Sequence, residues 1–139
     1  MEIKINTLSG SLSGAAYTTL LNSGGHLFYA DEPLDHGGSN KGPRPHDFLL
    51  AALASCTCIT VRMYADRKGW KLDDVTTNVK MERQVVSGVQ QTKIVQELSF
   101  TGDLDDDQIA RLLVISGKCP VHKTLSNSIA IENKLYVIY

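Results

Sequence analysis

The stretch Pro45–Trp70, PHDFLLAALASCTCITVRMYADRKGW, decides how this chain is read. It predicts one long helix. Pro45 suits a first helical position, where its missing N–H costs nothing. Asp47 then meets the positive end of the helix dipole, and Arg62, Arg67 and Lys68 gather toward the negative end. Gly69 is a natural stop. Between these signals Leu, Ala and Met dominate, all strong helix formers. Phe48 to Val61 holds no charge and only Ser55, Thr57 and Thr60 as hydroxyls. A helix apolar on every side is expected to be buried on every side. The uncharged run is 14 residues, short of the roughly 20 that span a bilayer. A central core helix is therefore expected, with Cys56 and Cys58 near its middle.

Working back from it, residues 31–42 (DEPLDHGGSNKG) are rich in Gly, Asp and Pro and read as an ordered loop. Before it, Tyr17–Leu21 and His26–Ala30 predict a hairpin across Asn22–Gly25, and residues 2–8 a short first strand. Working forward, Val75–Val86 and Val89–Phe100 alternate around Ser87-Gly88 and predict a second hairpin. A helix over Leu104–Gly117 follows. Asp105 and Gln108 have capping-box spacing, and Ile109, Leu112, Leu113 and Ser116 form its apolar stripe. Pro120 favours a new helical start after Cys119, and Ser128–Tyr139 reads as a last strand. The order gives an α+β fold with mainly antiparallel sheet, as one domain over residues 1–139. A chain of 139 residues has little else to cover a helix that is apolar all round, so a second subunit is expected.

Net charge is −1, which gives no electrostatic case for nucleic acid or an anionic membrane. The chain opens Met1-Glu2-Ile3-Lys4 without a basic start or an apolar leader. Three cysteines fit poorly with a secreted disulfide scaffold. A cytoplasmic protein with free or redox-active thiols is the expectation.

Reactive side chains gather in two places: His46, Asp47, Cys56 and Cys58, and then Lys118, Cys119, His122 and Lys123. Three chemistries can be assembled from them. In the first, a thiolate attacks a peroxide or disulfide and a second cysteine closes a bond. Cys56 and Cys119 suit this if the fold joins them, and Lys118, Lys123 and a helix start favour a thiolate at Cys119. Cys56 and Cys58 face apart on a helix, about 200° in rotation. The second is a zinc site on Cys119-x-x-His122 with Cys56. The third is Cys–His hydrolysis with His46 or His122 as base. Against all three stands the plain reading, in which a buried cysteine packs as a small hydrophobe.

The stretch GPRPHDFLLAALASCTCITVRMYADRKGW, followed 63 residues after Cys56 by KCPVHKTL, resembles the OsmC/Ohr family, in its OsmC-like branch. The upstream SGGHLFYADEPLDHGGSNKGP resembles the same branch, so the likeness runs from about Ser23 to Ile131. It implies a thiol-dependent peroxidase for organic hydroperoxides and an intertwined homodimer with sites at the interface. By position, Cys56 would be the attacking cysteine and Cys119 the resolving one, with no family role for Cys58. The family's glutamate, about ten residues before the reactive cysteine, falls at His46, with Asp47 beside it. The family's N-terminal arginine has no counterpart, since no arginine precedes Arg44. Arg44, His46 and His122 are the candidate cations in its place. A dithiol, of lipoyl type or another thiol, would regenerate the enzyme. No metal or organic cofactor is expected, for the chain shows neither G-x-G-x-x-G nor a P-loop. Phe48, Leu49, Ala52 and Leu53 are the expected apolar lining for an alkyl tail. The alternative is an OsmC-like homodimeric binding or stress protein with weak or no peroxidase activity.

Overall fold

The structure, a computed structural model, describes residues 2–14 and 16–137. They fall into two compact units, Met1–Leu49 and Leu50–Tyr139.

The first unit is a three-stranded antiparallel sheet, β1 (Ser9–Ser11), β2 (Thr19–Ser23) and β3 (His26–Ala30), in that spatial order. Gly24 and Gly25 turn between β2 and β3 with φ of +57° and +83°. That left-handed pair matches the twist of a two-residue hairpin. The strand expected over residues 2–8 is absent. Ile3 and Ile5 find no partner strand, and the pairing begins at Ser9, which the sequence placed in a turn.

Loop 31–43 is tied by Asp31, whose buried carboxylate accepts from Thr18 Oγ1 at 2.6 Å and from the N–H groups of Glu32, Ser39 and Lys41 at 2.7, 3.3 and 3.2 Å. Its own N–H donates to Pro43 O at 3.0 Å. The backbone comes so close at Gly42 that an added Cβ would sit 2.0 Å from Tyr29 O.

Helix α1 (Pro45–Lys68) ends where Gly69 turns left-handed, φ +69°. In the second unit it lies on one face of a long hairpin, β4 (Lys71–Val86) with β5 (Val89–Asp103). The half-buried positions Val75, Thr77, Val79 and Met81 pair with Phe100, Leu98, Gln96 and Ile94, so one face of the ribbon meets the helix. A bulge between Leu72 and Asp74 shifts the alternation, which lets Leu72 and Val75 both point inward. Arg62 holds that bulge by donating to Leu72 O and, at 2.6 Å, to Asp73 O.

Helix α2 (Asp106–Ser116) starts in the expected capping box of Asp105 and Gln108. Its buried residues are Leu112, Ile115 and Ser116. Ile109 and Leu113, expected on the inner stripe, are exposed instead. Helix α3 (Pro120–Ser126) follows, with Cys119 as its N-cap. The core joins Val61, Ala65, Leu72 and Leu112, with Tyr64, Trp70, Val75, Phe100 and Leu104 around it.

Two further expectations fail. No strand forms over residues 128–137, while Ile138 and Tyr139 lie outside the described residues. The chain also buries only one stripe of α1: Leu53, Thr57, Val61 and Ala65, each four residues on from the last. Ile59 and Met63 are 57% and 64% exposed. One hairpin and one short helix cover a single side of a long helix and no more.

Candidate active site

Cys56 and Cys119 meet. They lie 63 positions apart in sequence, yet the fold brings the Cys56 sulfur near enough to Cys119 to act on its ionisation. The packing of α1 against α2 explains this. Arg111 Nε donates to Tyr64 Oη at 3.0 Å, and Leu112 packs with Val61 and Ala65.

The two sulfurs differ in setting. Cys119 is fully buried, and Cys56 is half-buried. Burial, and after it the Cys56 sulfur, push the Cys119 thiol above its ordinary pKa. The N–H groups of His122 and Val121 pull it partly back, the first at 3.5 Å from Sγ. The thiolate expected at Cys119 is therefore not favoured. Desolvation outweighs Lys118, Lys123 and the short helix start, because an anion there would lose its water. Burial thus favours the neutral thiol at Cys119.

Cys58 points elsewhere, toward Val75 O at 3.9 Å on β4. Thr57, between the two cysteines, is fully buried and accepts from Gln96 Nε2 at 3.2 Å, while Gln96 Oε1 accepts from Thr77 Oγ1 at 3.1 Å. This chain of bonds fixes the rotation of α1 on the hairpin, and with it the outward angles of Cys56 and Cys58. Thr60, one turn after Cys56, brings its hydroxyl to 4.0 Å from the sulfur. Sequence reading missed Gln96 and Thr60. The i,i+4 spacing of Cys56 and Thr60 was visible, but a glutamine on a distant strand gave no signal.

The other candidates are placed as follows. The His122 ring lies 3.4 Å from Ser126 Oγ through Nδ1, and its backbone N–H donates to Cys119 Sγ. In the first unit, Arg44 Nε pairs with Glu32 Oε2 at 2.9 Å. Asp47 Oδ2 accepts from Arg44 N at 3.0 Å and closes the first turn of α1. His46 is exposed there. Phe48 packs on Phe28, ring centroids 5.8 Å apart. Leu49 and Ala52 are exposed, and Leu53 is part of the core. Among the described residues no three His, Cys, Asp or Glu side chains converge as a zinc site would need.

A hairpin under a long helix, with paired cysteines on that helix and on a following one, is an α+β fold of OsmC type. Among solved structures it is similar to an OsmC-like protein from Mycoplasma pneumoniae, at TM-score 0.75 and 22% identity over 88% of each chain. It is also similar to an organic hydroperoxide resistance protein OsmC from Legionella pneumophila, at 0.66 and 16% over 90% of this chain and 91% of that one. A third, an organic hydroperoxide resistance protein from Elizabethkingia anophelis, gives 0.63 and 15% over 87% and 89%. No curated protein matches the chain. Residues 38–134 match the family described as OsmC-like protein, and the chain belongs to it. By length and composition α1 is long and apolar enough to cross a membrane; it lies within the stretch that matches the family.

Proposed function

We propose that the protein is a cysteine-based peroxidase that reduces organic hydroperoxides to alcohols, a cytoplasmic homodimer with residues 1–139 as one domain. The nearness of the Cys56 and Cys119 thiols carries this reading, together with the burial that raises the Cys119 pKa. Cys56 is the attacking sulfur, since it is the more accessible of the two. Its thiolate attacks one peroxide oxygen. An S–O bond forms, the O–O bond breaks, and the departing alkoxide takes up a proton as the alcohol. Cys56 is now a sulfenic acid, oxidised by two electrons. Cys119 gives up its proton and attacks that sulfur. The S–S bond forms, the S–O bond breaks, and the hydroxide leaves as water. An external dithiol, of lipoyl type or another thiol, then reduces the disulfide. No metal or organic cofactor takes part.

Alkyl hydroperoxides should react faster than hydrogen peroxide. Leu49, Ala52 and Leu53 stand on the turns of α1 before Cys56, and Phe48 adjoins them. Each buried methylene of the substrate contributes about 0.8 kcal/mol, roughly fourfold in binding. Four or five carbons give a preference on the order of 10²–10³ if the contact persists in the transition state. Rate constants for cumene hydroperoxide and hydrogen peroxide, with a dithiol as reductant, check this. Equal constants would exclude the selective lining. Peptide maps of peroxide-treated protein should show the 56–119 disulfide, with Cys58 free.

One observation favours the second reading, an OsmC-like homodimeric binding or stress protein with weak or no peroxidase activity. No arginine precedes Arg44, and Arg44 is committed to Glu32. The same assay separates the two: hydroperoxide left intact while Cys56 remains a free thiol supports the second.

A further inference from the structure

Tyr64 gathers three cations. The charge centres of Arg67, Lys68 and Arg111 lie 5.8, 5.7 and 5.5 Å from its ring centroid. Arg111 also donates to the phenol oxygen, and Trp70 meets the ring edge-on, centroids 5.5 Å apart. The Arg111 hydrogen bond, and less strongly the three charges, lower the phenol pKa. The negative end of α1 accounts for Arg67 and Lys68. It does not account for Arg111, which comes from the middle of α2. None of the three is ion-paired among the described residues, whereas Arg44, Arg62 and Lys80 each have a carboxylate. Asp107, one turn before Arg111 on α2, does not reach it. The chain as a whole is slightly acidic, so this is a local concentration of charge. Like charges held this close repel, and an anion among them would reverse the sign.

The position of the cluster says which anion. Tyr64 stands eight residues after Cys56 on α1, about 12 Å along the helix. A small thiol working on the Cys56–Cys119 disulfide cannot touch both places, but the face of a protein can. We infer that Tyr64, Arg67, Lys68 and Arg111 form a docking site for an acidic surface on the protein that brings the reducing dithiol. This rests on the peroxidase reading for the disulfide it serves. In the exchange the carrier's two thiols become its own disulfide, and their two electrons and two protons restore the Cys56 and Cys119 thiols.

The test uses the full chain, oxidised with diamide so that no peroxide turnover is needed. Two dithiol peptides, Cys-Gly-Pro-Cys flanked by four glutamates or by four lysines, serve as reductants. Each rate is normalised to the peptide's rate with hydroxyethyl disulfide. At about 20 mM salt the glutamate peptide should reduce the protein about tenfold faster than the lysine peptide, and the ratio should approach one near 0.5 M. In the triple variant Arg67→Gln, Lys68→Gln, Arg111→Gln the ratio should fall toward one, with the dithiothreitol rate unchanged. If loss of the Tyr64 bond unfolds that variant, the exposed pair Arg67→Gln, Lys68→Gln should still lose most of the ratio. Equal rates in the wild type, or a ratio kept in the folded variant, would overturn the docking site. Failure of a 56–119 disulfide to form would overturn it as well. A disulfide that forms with diamide while hydroperoxides go unconsumed refutes the peroxidase reading and leaves the peptide comparison decisive.

Discussion

At the residue scale, charge and burial set the behaviour of single groups. Asp31 shows it in the first unit. The Thr18 hydroxyl, with the N–H groups of Glu32, Lys41 and Ser39, lowers its pKa from 3.8 to about 2. A carboxylate lowered on folding adds stability above its unfolded pKa and loses it as pH falls through the folded one. Loop 31–43 should therefore hold down to about pH 4 and loosen between there and about pH 2. Asp31→Asn should be less stable than the wild type at neutral pH, and the difference should close below that window. Denaturation curves at a series of pH values measure it. Cys119 is the opposite case, a group raised by burial, which stays neutral where a surface thiol would ionise. The sequence displayed its basic neighbours but not the desolvation that overrides them.

At the element scale, α1, the hairpin and α2 depend on a few large side chains. Leu112 is fully buried against Val61, Ala65 and Leu72. Leu112→Ala should cost about 2–5 kcal/mol through lost burial and the cavity left behind, read as a fall in the urea midpoint with its slope unchanged. Because α2 fixes where the chain returns along α1, the same variant should slow closure of the 56–119 disulfide. Gly102, with φ at +147° and room for an added Cβ only 2.1 Å from Lys71 O, should not tolerate alanine. Caps and turns were legible at this scale: Pro45, Gly69, the Asp105–Gln108 box and the start at Pro120. The bulge at Leu72 was not. It arises from two strands meeting in register, which neither strand encodes alone.

At the scale of the whole molecule, the apolar side of α1 needs cover. Ile59 and Met63 lie open along a helix whose other stripe is core. Patches of this kind on monomers usually mark an interface. Sedimentation at micromolar concentration should give about twice the chain mass of 15.2 kDa. A soluble, folded monomer would refute the dimer. Ile59→Asp should shift the balance toward monomer, since an unpaired carboxylate in an apolar interface is costly.

The sequence by itself determined the two hairpins, the helices and their order, because caps, turn glycines and apolar periods act over a few residues. It also supplied the two cysteine motifs that mark the family. It misplaced the first strand and expected a last one over 128–137, since a short apolar run becomes a strand only where another strand is there to pair. Tertiary structure alone decided that Cys119 is a buried thiol facing Cys56, that Gln96 sets the rotation of α1, and that Arg111 reaches Tyr64. Each depends on groups distant in sequence losing water together, and no local pattern records which groups those will be.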